Sequence, residues 1–343
     1  MSRTPSDIAV ARLFHPFESG ELPLPPPDTR CLFVNAAPGF RLLEGFEIEL
    51  TLAQGFRPDY LALKRSNGSV SPLPDGSGFG LVLMLCSRHR GGNELMIAEA
   101  LERAAEGARI VVAGAKEEGI ASLAKRVAEL VAIDGRSHKH HGMAFWLVAP
   151  SNRRELAAHL RHANASAPVE GRFETAPGMF SHDRIDRGSR LLAEALPRDL
   201  SGKVADFCAG WGYVAVEVLE RCPAVEAIDL YEADFASLEA ARHNLAGSRP
   251  AACQFFWHDL IGEAVAGRYD AIVMNPPFHQ GRAAEPGIGQ RLIAVAAKAL
   301  ANRGRLLMVA NKGLPYEKVL AASFARYEKL ADDGGFNVFS AWR

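Results

Sequence analysis

Short apolar runs alternate along this chain with stretches in which apolar residues recur at helical spacing. In the first half, residues 31–35, 80–85, 109–114 and 144–148 read as strands, and 94–105 and 123–131 as helices. In the second half the pattern predicts strands at 203–208, 225–231, 253–258, 270–274 and 305–310. Helices are predicted near 213–221, 235–245, 290–300 and 316–324. Residues 327–330 and 337–342 have strand composition and predict an antiparallel hairpin at a sheet edge. Regular alternation of strand and helix predicts an α/β fold built on mostly parallel sheets with helices on both faces. The first thirty residues have little periodicity and end in Leu22-Pro23-Leu24-Pro25-Pro26-Pro27, which predicts a stiff surface connector. The small, polar stretch Ala163-Asn164-Ala165-Ser166-Ala167-Pro168 predicts a boundary between domains at 1–165 and 166–343.

The two halves repeat a pattern. Leu81-Val82-Leu83-Met84, a helix, and Arg109-Ile110-Val111-Val112-Ala113-Gly114-Ala115-Lys116 parallel Ala271-Ile272-Val273-Met274, a helix, and Arg305-Leu306-Leu307-Met308-Val309-Ala310-Asn311-Lys312. Duplication of one unit explains this. The first copy then carries Leu85-Cys86-Ser87-Arg88 where the second carries Asn275-Pro276-Pro277-Phe278, so only the second keeps polar acceptors at that strand tip.

Composition narrows the classes little. With 343 residues, 48% of them hydrophobic, the chain has length for two ordinary cores. Lys and Arg number 39 against 40 Asp and Glu, a formal net charge of −1, which argues against nonspecific coating of nucleic acid but not against a local basic patch. No apolar run reaches membrane-spanning length and the N-terminal residues lack the apolar core of a secretion signal, so a cytoplasmic protein is expected. Five cysteines, never spaced as Cys-x-x-Cys, argue for reduced thiols and against a zinc site. Ser137-His138-Lys139-His140-His141 clusters histidines without a carboxylate or thiol beside them, and reads as a solvated, RNA-facing basic loop rather than a metal site.

Candidate chemistry gathers at successive strand tips of the second half. Asp206-Phe207-Cys208-Ala209-Gly210-Trp211-Gly212 leads from a strand into a helix, and Gly210 and Gly212 let backbone approach a ligand near free helix N–H groups. Glu232 follows about where nucleoside-binding α/β folds place a ribose carboxylate, with Asp229 as the alternative. Asp259, after the third strand, can accept from an adenine amino group. Then comes Asn275-Pro276-Pro277-Phe278, where two prolines fix the backbone and leave the Asn275 side chain and the Pro276 carbonyl as rigid acceptors for a planar amine.

This ordered set resembles the class I S-adenosylmethionine-dependent methyltransferases that act on planar exocyclic nitrogens. Upstream, Phe180-Ser181-His182-Asp183-Arg184-Ile185-Asp186-Arg187-Gly188-Ser189-Arg190-Leu191-Leu192 is similar to the segment that precedes the cofactor fold in bacterial ribosomal RNA guanine-N2 methyltransferases of the small and large subunits. The resemblance covers nearly the whole chain, is firmest from Phe180 onward and is looser before residue 80. It implies two tandem Rossmann-like methyltransferase domains, each a mostly parallel seven-stranded sheet, with the N-terminal copy degenerate and noncatalytic. It also implies S-adenosylmethionine as cofactor, held by Asp206, Cys208, Gly210, Gly212, Glu232, Asp259 and Asn275. Catalysis would rest on Asn275, Pro276 and Phe278, the ring of Phe278 stacking on guanine. Phe180, Arg184, Arg187 and Arg190 are candidate contacts to ribosomal RNA, with 16S RNA within a ribosomal subunit the favoured partner. No metal or membrane is implied, and a monomer is expected. The family has glycine where this chain has Cys208, which bears on cofactor affinity. Other acceptors of the same motif type are adenine N6 and a protein glutamine amide. Phe278 in place of Tyr, together with the duplicated halves, favours guanine. A noncatalytic RNA-binding or ribosome-assembly module is the remaining alternative.

Overall fold

Alternate residues of a buried strand face opposite sides of its sheet, and both halves of this chain use that rule to build an apolar layer on each face. The computed structural model describes residues 5–67, 69–248, 252–277, 279–280, 283–284 and 286–343. It divides into one unit of Met1–Ser166 with Ala176–Gly178 and another of Ala167–Thr175 with Met179–Arg343.

The first unit runs α1 (Pro5–Glu18), β1 (Thr29–Val34), β2 (Ile48–Ala53), α2 (Arg57–Asn67), β3 (Val70–Ser71), β4 (Phe79–Leu85), α3 (Arg90–Arg103), β5 (Ala104–Ala115), α4 (Ile120–Ala128), β6 (Gly135–Lys139), β7 (Gly142–Val148) and α5 (Arg153–Ala163). Its seven strands are ordered β3-β2-β1-β4-β5-β7-β6, with β7 antiparallel to both neighbours. Val82 and Met84 join one apolar cluster with α3, α4 and α5, whereas Leu81, Leu83 and Leu85 join the other with α1 and α2.

The second unit runs α6 (Arg187–Glu194), β8 (Ser201–Phe207), α7 (Tyr213–Arg221), β9 (Ala224–Glu232), α8 (Phe235–Leu245), β10 (Ala252–Trp257), β11 (Tyr269–Met274), β12 (His279–Gln280), β13 (Ala283–Ala284), α9 (Pro286–Ala299), β14 (Leu300–Asn311), α10 (Tyr316–Ser323), β15 (Arg326–Asp333) and β16 (Phe336–Trp342). Strands of the large sheet are ordered β10-β9-β8-β11-β14-β16-β15, and β12 and β13 form a separate two-stranded ribbon. Along β11, Ala271 and Val273 pack with α6, α7 and α8, while Ile272 and Met274 pack with α9 and α10. Ile272, Val273 and Met274 are fully buried, each burial stabilising the fold by about 1.5–3 kcal/mol relative to exposure.

Corresponding strands occupy the same places in both sheets. Strands β5 and β14 are each 12 residues long with the same succession of buried and exposed positions. The pairing of β4 with β5 shifts register between Phe79 and Leu81, and that of β11 with β14 shifts between Tyr269 and Ala271. Such an irregularity in the same place twice is the mark of a duplicated unit.

Three parts of the first unit depart from the sequence expectations. The N-terminal stretch expected to be irregular contains α1, which forms because Leu13, Phe14 and Phe17 reach the core together; Pro16, inside its last turn, masked the signal. Strand β2 and helices α2 and α5 were also not anticipated. Ser137-His138-Lys139-His140-His141 is not a loop throughout: β6 continues through Lys139, and His140 and His141 form a two-residue hairpin turn with φ of 50° and 56°. Positive φ at both central residues is what a hairpin turn matching strand twist requires.

Candidate active site

Strand order in the second sheet reverses between β8 and β11, which are hydrogen-bonded neighbours although β9 and β10 extend the sheet to one side and β14 to the other. Ligands of open α/β sheets collect at the carboxyl ends of the strands at such a switch point. A pocket lies there, lined by Phe180, Ser181, Asp186, Ser189, Asp206, Cys208, Ala209, Gly210, Trp211, Tyr213, Val214 and Asn275.

The turn after β8 is built from left-handed residues, with φ of 61° at Cys208, 54° at Gly210 and 87° at Gly212. A Cβ on Gly212 would meet Leu245 Cδ1 at 2.7 Å, so packing against α8 demands glycine there. A Cβ on Gly210 would meet nothing within 4 Å, so this glycine serves the backbone and keeps the turn open. Cys208 holds a conformation that costs an L-residue about 1–2 kcal/mol, which accounts for glycine being the family's usual choice.

Two carboxylates, Asp206 and Glu232, converge on this turn. Asp206 is 1% exposed, and its Oδ2 has no hydrogen-bond partner among the described residues. Burial raises its pKa well above the ordinary aspartate value, the negative charge of Glu232 adds to the rise, and the Ala215 N–H opposes it. Burial likewise raises the Cys208 thiol, helped by Glu232 and Asp206, so the thiol stays neutral. Glu232 ends β9 and accepts from the backbone N–H of Gly210 at 2.7 Å, Ala233 at 2.8 Å and Asp234 at 2.9 Å. Burial raises its pKa despite the N–H groups of Asp234 and Gly210. A carboxylate offers about four lone-pair sites, so one remains for a ligand hydroxyl. Asp259 turns back on its own loop, accepting from Ile261 N at 3.0 Å, and is not among the pocket-lining residues. Asp229, the alternative to Glu232, is buried away from the pocket and bound by Lys203 Nζ and the Tyr269 hydroxyl, each at 2.8 Å.

Asn275 follows β11 directly and faces the glycine turn across the pocket. Its Nδ2 donates to Ser189 Oγ at 2.8 Å and to Asp186 Oδ2 at 3.1 Å. Asp186 also caps α6 by accepting from Ser189 N at 2.8 Å. Pro276 is buried and Pro277 exposed; Phe278 lies outside the described residues. Sequence reasoning quoted Asp186 and Ser189 only within a longer segment and gave neither a role. The N-cap signature of Asp186 was readable, but its reach to Asn275 spans 89 positions of sequence.

Of the candidate RNA contacts, Phe180 lines the pocket and the three arginines do not. Phe180 is 57% exposed while its carbonyl accepts from Trp211 Nε1 at 2.9 Å, which holds the loop and leaves the ring outward. Arg184, with Asp183 at 3.7 Å, is 80% exposed. Arg187 is tied to Asp333 at 2.8 Å, and Arg190 pairs with Glu170. No three His, Cys, Asp or Glu side chains gather as a metal-ligating group among the described residues. No described helix is long and apolar enough to cross a membrane.

Residues 170–340 match the model of the methyltransferase small domain family. The ribosomal RNA small subunit methyltransferase C of Chromohalobacter salexigens is 39% identical over 173 residues, covering 49% of this chain and 50% of that protein. The protein of the same name from Serratia proteamaculans is 36% identical over 176 residues, covering 49% and 48%. The chain spans about half the length of the curated relatives it matches. Among solved structures, a T. thermophilus 16S rRNA N2 methyltransferase (RsmC) in complex with AdoMet and guanosine superposes with a TM-score of 0.77 at 22% identity, covering 99% of this chain and 93% of that one. The likeness extends the tandem methyltransferase fold over both units, and residues 170–340, which carry the pocket, belong to the methyltransferase small domain family.

Proposed function

We propose that this chain transfers a methyl group from S-adenosylmethionine to the exocyclic N2 of a guanine in ribosomal RNA, with 16S RNA as the substrate. The observation that carries the reading is that one pocket is lined by Asp206, Cys208, Ala209 and Gly210 of the turn and also by Asn275, so an acceptor for an amine stands beside a turn suited to a nucleoside. The reading draws further support from the named activity of the C. salexigens relative and from the guanosine and AdoMet held by the T. thermophilus protein.

The residues present fit the cofactor. Asp206 offers a buried, unpaired acceptor for a cationic amino group, Glu232 keeps one free lone-pair site for a ribose hydroxyl, and Gly210 leaves room for close backbone approach. Asp259 serves the adenine end once Ile261 N releases it. When bound, S-adenosylmethionine supplies an electrophilic methyl group on a positively charged sulfur.

A guanine amine is a weak nucleophile because its lone pair is delocalised into the ring. Asn275 Oδ1 and the Pro276 carbonyl accept its two N–H bonds, which localises the lone pair and stabilises the positive charge that develops on nitrogen. Phe278 stacks on the base. Phe180 and Arg184 are the proposed outer RNA contacts, one by stacking and one by a phosphate, with Arg187 and Arg190 as further cations. The base must be unpaired or flipped to enter. In this reading the first unit is noncatalytic and helps to hold RNA, and the protein works as a cytoplasmic monomer without a metal ion. Mass spectrometry of 16S and 23S nucleosides from a strain lacking the gene tests the function: loss of N2-methylguanosine from 16S RNA is expected, and unchanged N2-methylguanosine in both RNAs contradicts it.

A further inference from the structure

We infer that Ser189 and Asp186 are positioning residues that lock the Asn275 amide with its oxygen turned toward the substrate amine. This rests on the reading above that Asn275 receives the amine. An amide's oxygen and nitrogen are near-identical in shape, so its orientation must be settled by its partners. A carboxylate only accepts, so the edge of Asn275 that meets Asp186 Oδ2 at 3.1 Å is the NH2 edge. Ser189 Oγ, at 2.8 Å, takes the second proton of the same group. Oδ1 is therefore held on the opposite edge, and nothing among the described residues donates to it. An amide turned through 180° would set its own N–H against those of the substrate amine. Because Asp186 also caps the helix that carries Ser189, one helix start places both anchors.

The first unit provides an internal comparison. Strand registers place Leu85 at the position of Asn275. Helix α1 buries Leu13, Phe14 and Phe17, and the α6 segment buries Leu192, Ala193 and Leu196 with the same spacing, against the same face of its sheet. Aligned on these positions, Asp186 falls on Asp7 and Ser189 on Val10. Where the amide has become leucine the hydroxyl has become valine, whereas the acid remains in the first turn of the helix. Joint loss of amide and hydroxyl is expected if Ser189 serves Asn275, and has no reason if Ser189 serves only its helix.

Valine and threonine are near-isosteric and strain a helix alike, so Ser189→Val and Ser189→Thr differ chiefly in the hydroxyl. Both are compared with the wild type and Asn275→Ala for melting temperature, S-adenosylmethionine affinity, and kcat and KM on 16S RNA. Ser189→Val is expected to lower kcat by about tenfold or more with KM and cofactor affinity within about threefold, while Ser189→Thr is slowed by no more than about threefold. Ser189→Ala, which asks for no extra room, should lose rate as Ser189→Val does. Equal rates for the Val and Thr variants, or an unslowed Ala variant, overturn the positioning role. An Asn275→Ala protein that keeps more than about a tenth of the rate instead overturns the reading of Asn275 itself.

Discussion

Gln54 stands in the first sheet where Glu232 stands in the second, each one residue beyond the partner of the last residue of the neighbouring strand. Each accepts from the backbone N–H two residues on, but toward the neighbouring turn their hydrogen bonding is opposite. Gln54 Nε2 donates to the Ala36 carbonyl at 2.8 Å and Gln54 Oε1 accepts from Phe56 N at 2.8 Å, whereas Glu232 accepts from Gly210 N. Asn35, at the place of Cys208 and also left-handed, donates to the Leu85 carbonyl at 3.0 Å. The first unit thus ties both side chains to its own backbone, whereas in the second Cys208 lines the pocket and Glu232 braces the turn that forms its wall. Gln54→Glu, at a position 4% exposed, would set a carboxylate oxygen against the Ala36 carbonyl. It is expected to cost about 1–3 kcal/mol without creating a cofactor site, checked by melting temperature and by the number of S-adenosylmethionine molecules bound.

Asp206 trades stability for binding. Its pKa is raised in the folded chain, so the fold binds a proton there that the unfolded chain has already released; its contribution to stability falls as pH rises from the ordinary carboxylate range through the raised pKa. Asp206→Asn removes the acid whose ionisation burial opposes. The variant should melt higher than wild type at neutral pH, by about 2–4 °C per kcal/mol gained, and the gap should close as pH falls. Its affinity for S-adenosylmethionine should drop by about tenfold or more, the loss of one charge-assisted hydrogen bond. Calorimetric melts across pH and titration with the cofactor check both halves.

The two turn glycines separate by substitution to alanine. At Gly210 the new methyl has open space, so only left-handed backbone strain of about 1–2 kcal/mol opposes folding, and the expected loss is in cofactor affinity. At Gly212 the methyl strikes Leu245 and Ala241, and the expected outcome is a poorly folded second unit. Circular dichroism melts with cofactor titration distinguish the two.

A buried network behind the pocket should affect stability alone. Tyr269 donates to Asp229 Oδ2 at 2.8 Å, and its hydroxyl lies 2.7 Å from that of Tyr231. Burial, followed by the hydrogen bonds that link the hydroxyl to Tyr231 and to the accepting Asp229 carboxylate, raises the Tyr269 pKa, so the hydroxyl stays protonated. Tyr269→Phe is expected to destabilise by about 1–3 kcal/mol with kcat unchanged, read from denaturant unfolding and turnover.

The tip that carries Asn275 was legible in the sequence because the buried parallel strand β11 ends in a continuous apolar run; the Gly210 turn follows β8 and Glu232 ends β9, strands whose apolar residues form shorter runs broken by Asp206 and Asp229. Elements whose apolar residues are interrupted were not legible: α1 carries Pro16 and His15 among its core residues, and β6 is short and polar. The anchors of Asn275 were hidden for a different reason, since contact between residues 186 and 275 is a product of tertiary packing and leaves no local pattern. The left-handed φ of Cys208 was likewise invisible.

The atom that receives the methyl group distinguishes a guanine-N2 methyltransferase from every alternative. Purified protein given S-adenosylmethionine carrying a labelled methyl group, with 16S RNA supplied free or in the small subunit, should place the label on guanine N2 as judged by nucleoside mass spectrometry. The Asn275→Ala protein should bind the cofactor yet lose more than about nine-tenths of that transfer, at least 1.4 kcal/mol of barrier. Label on adenine N6 or on protein, or none on any RNA despite cofactor binding, would contradict the central claim.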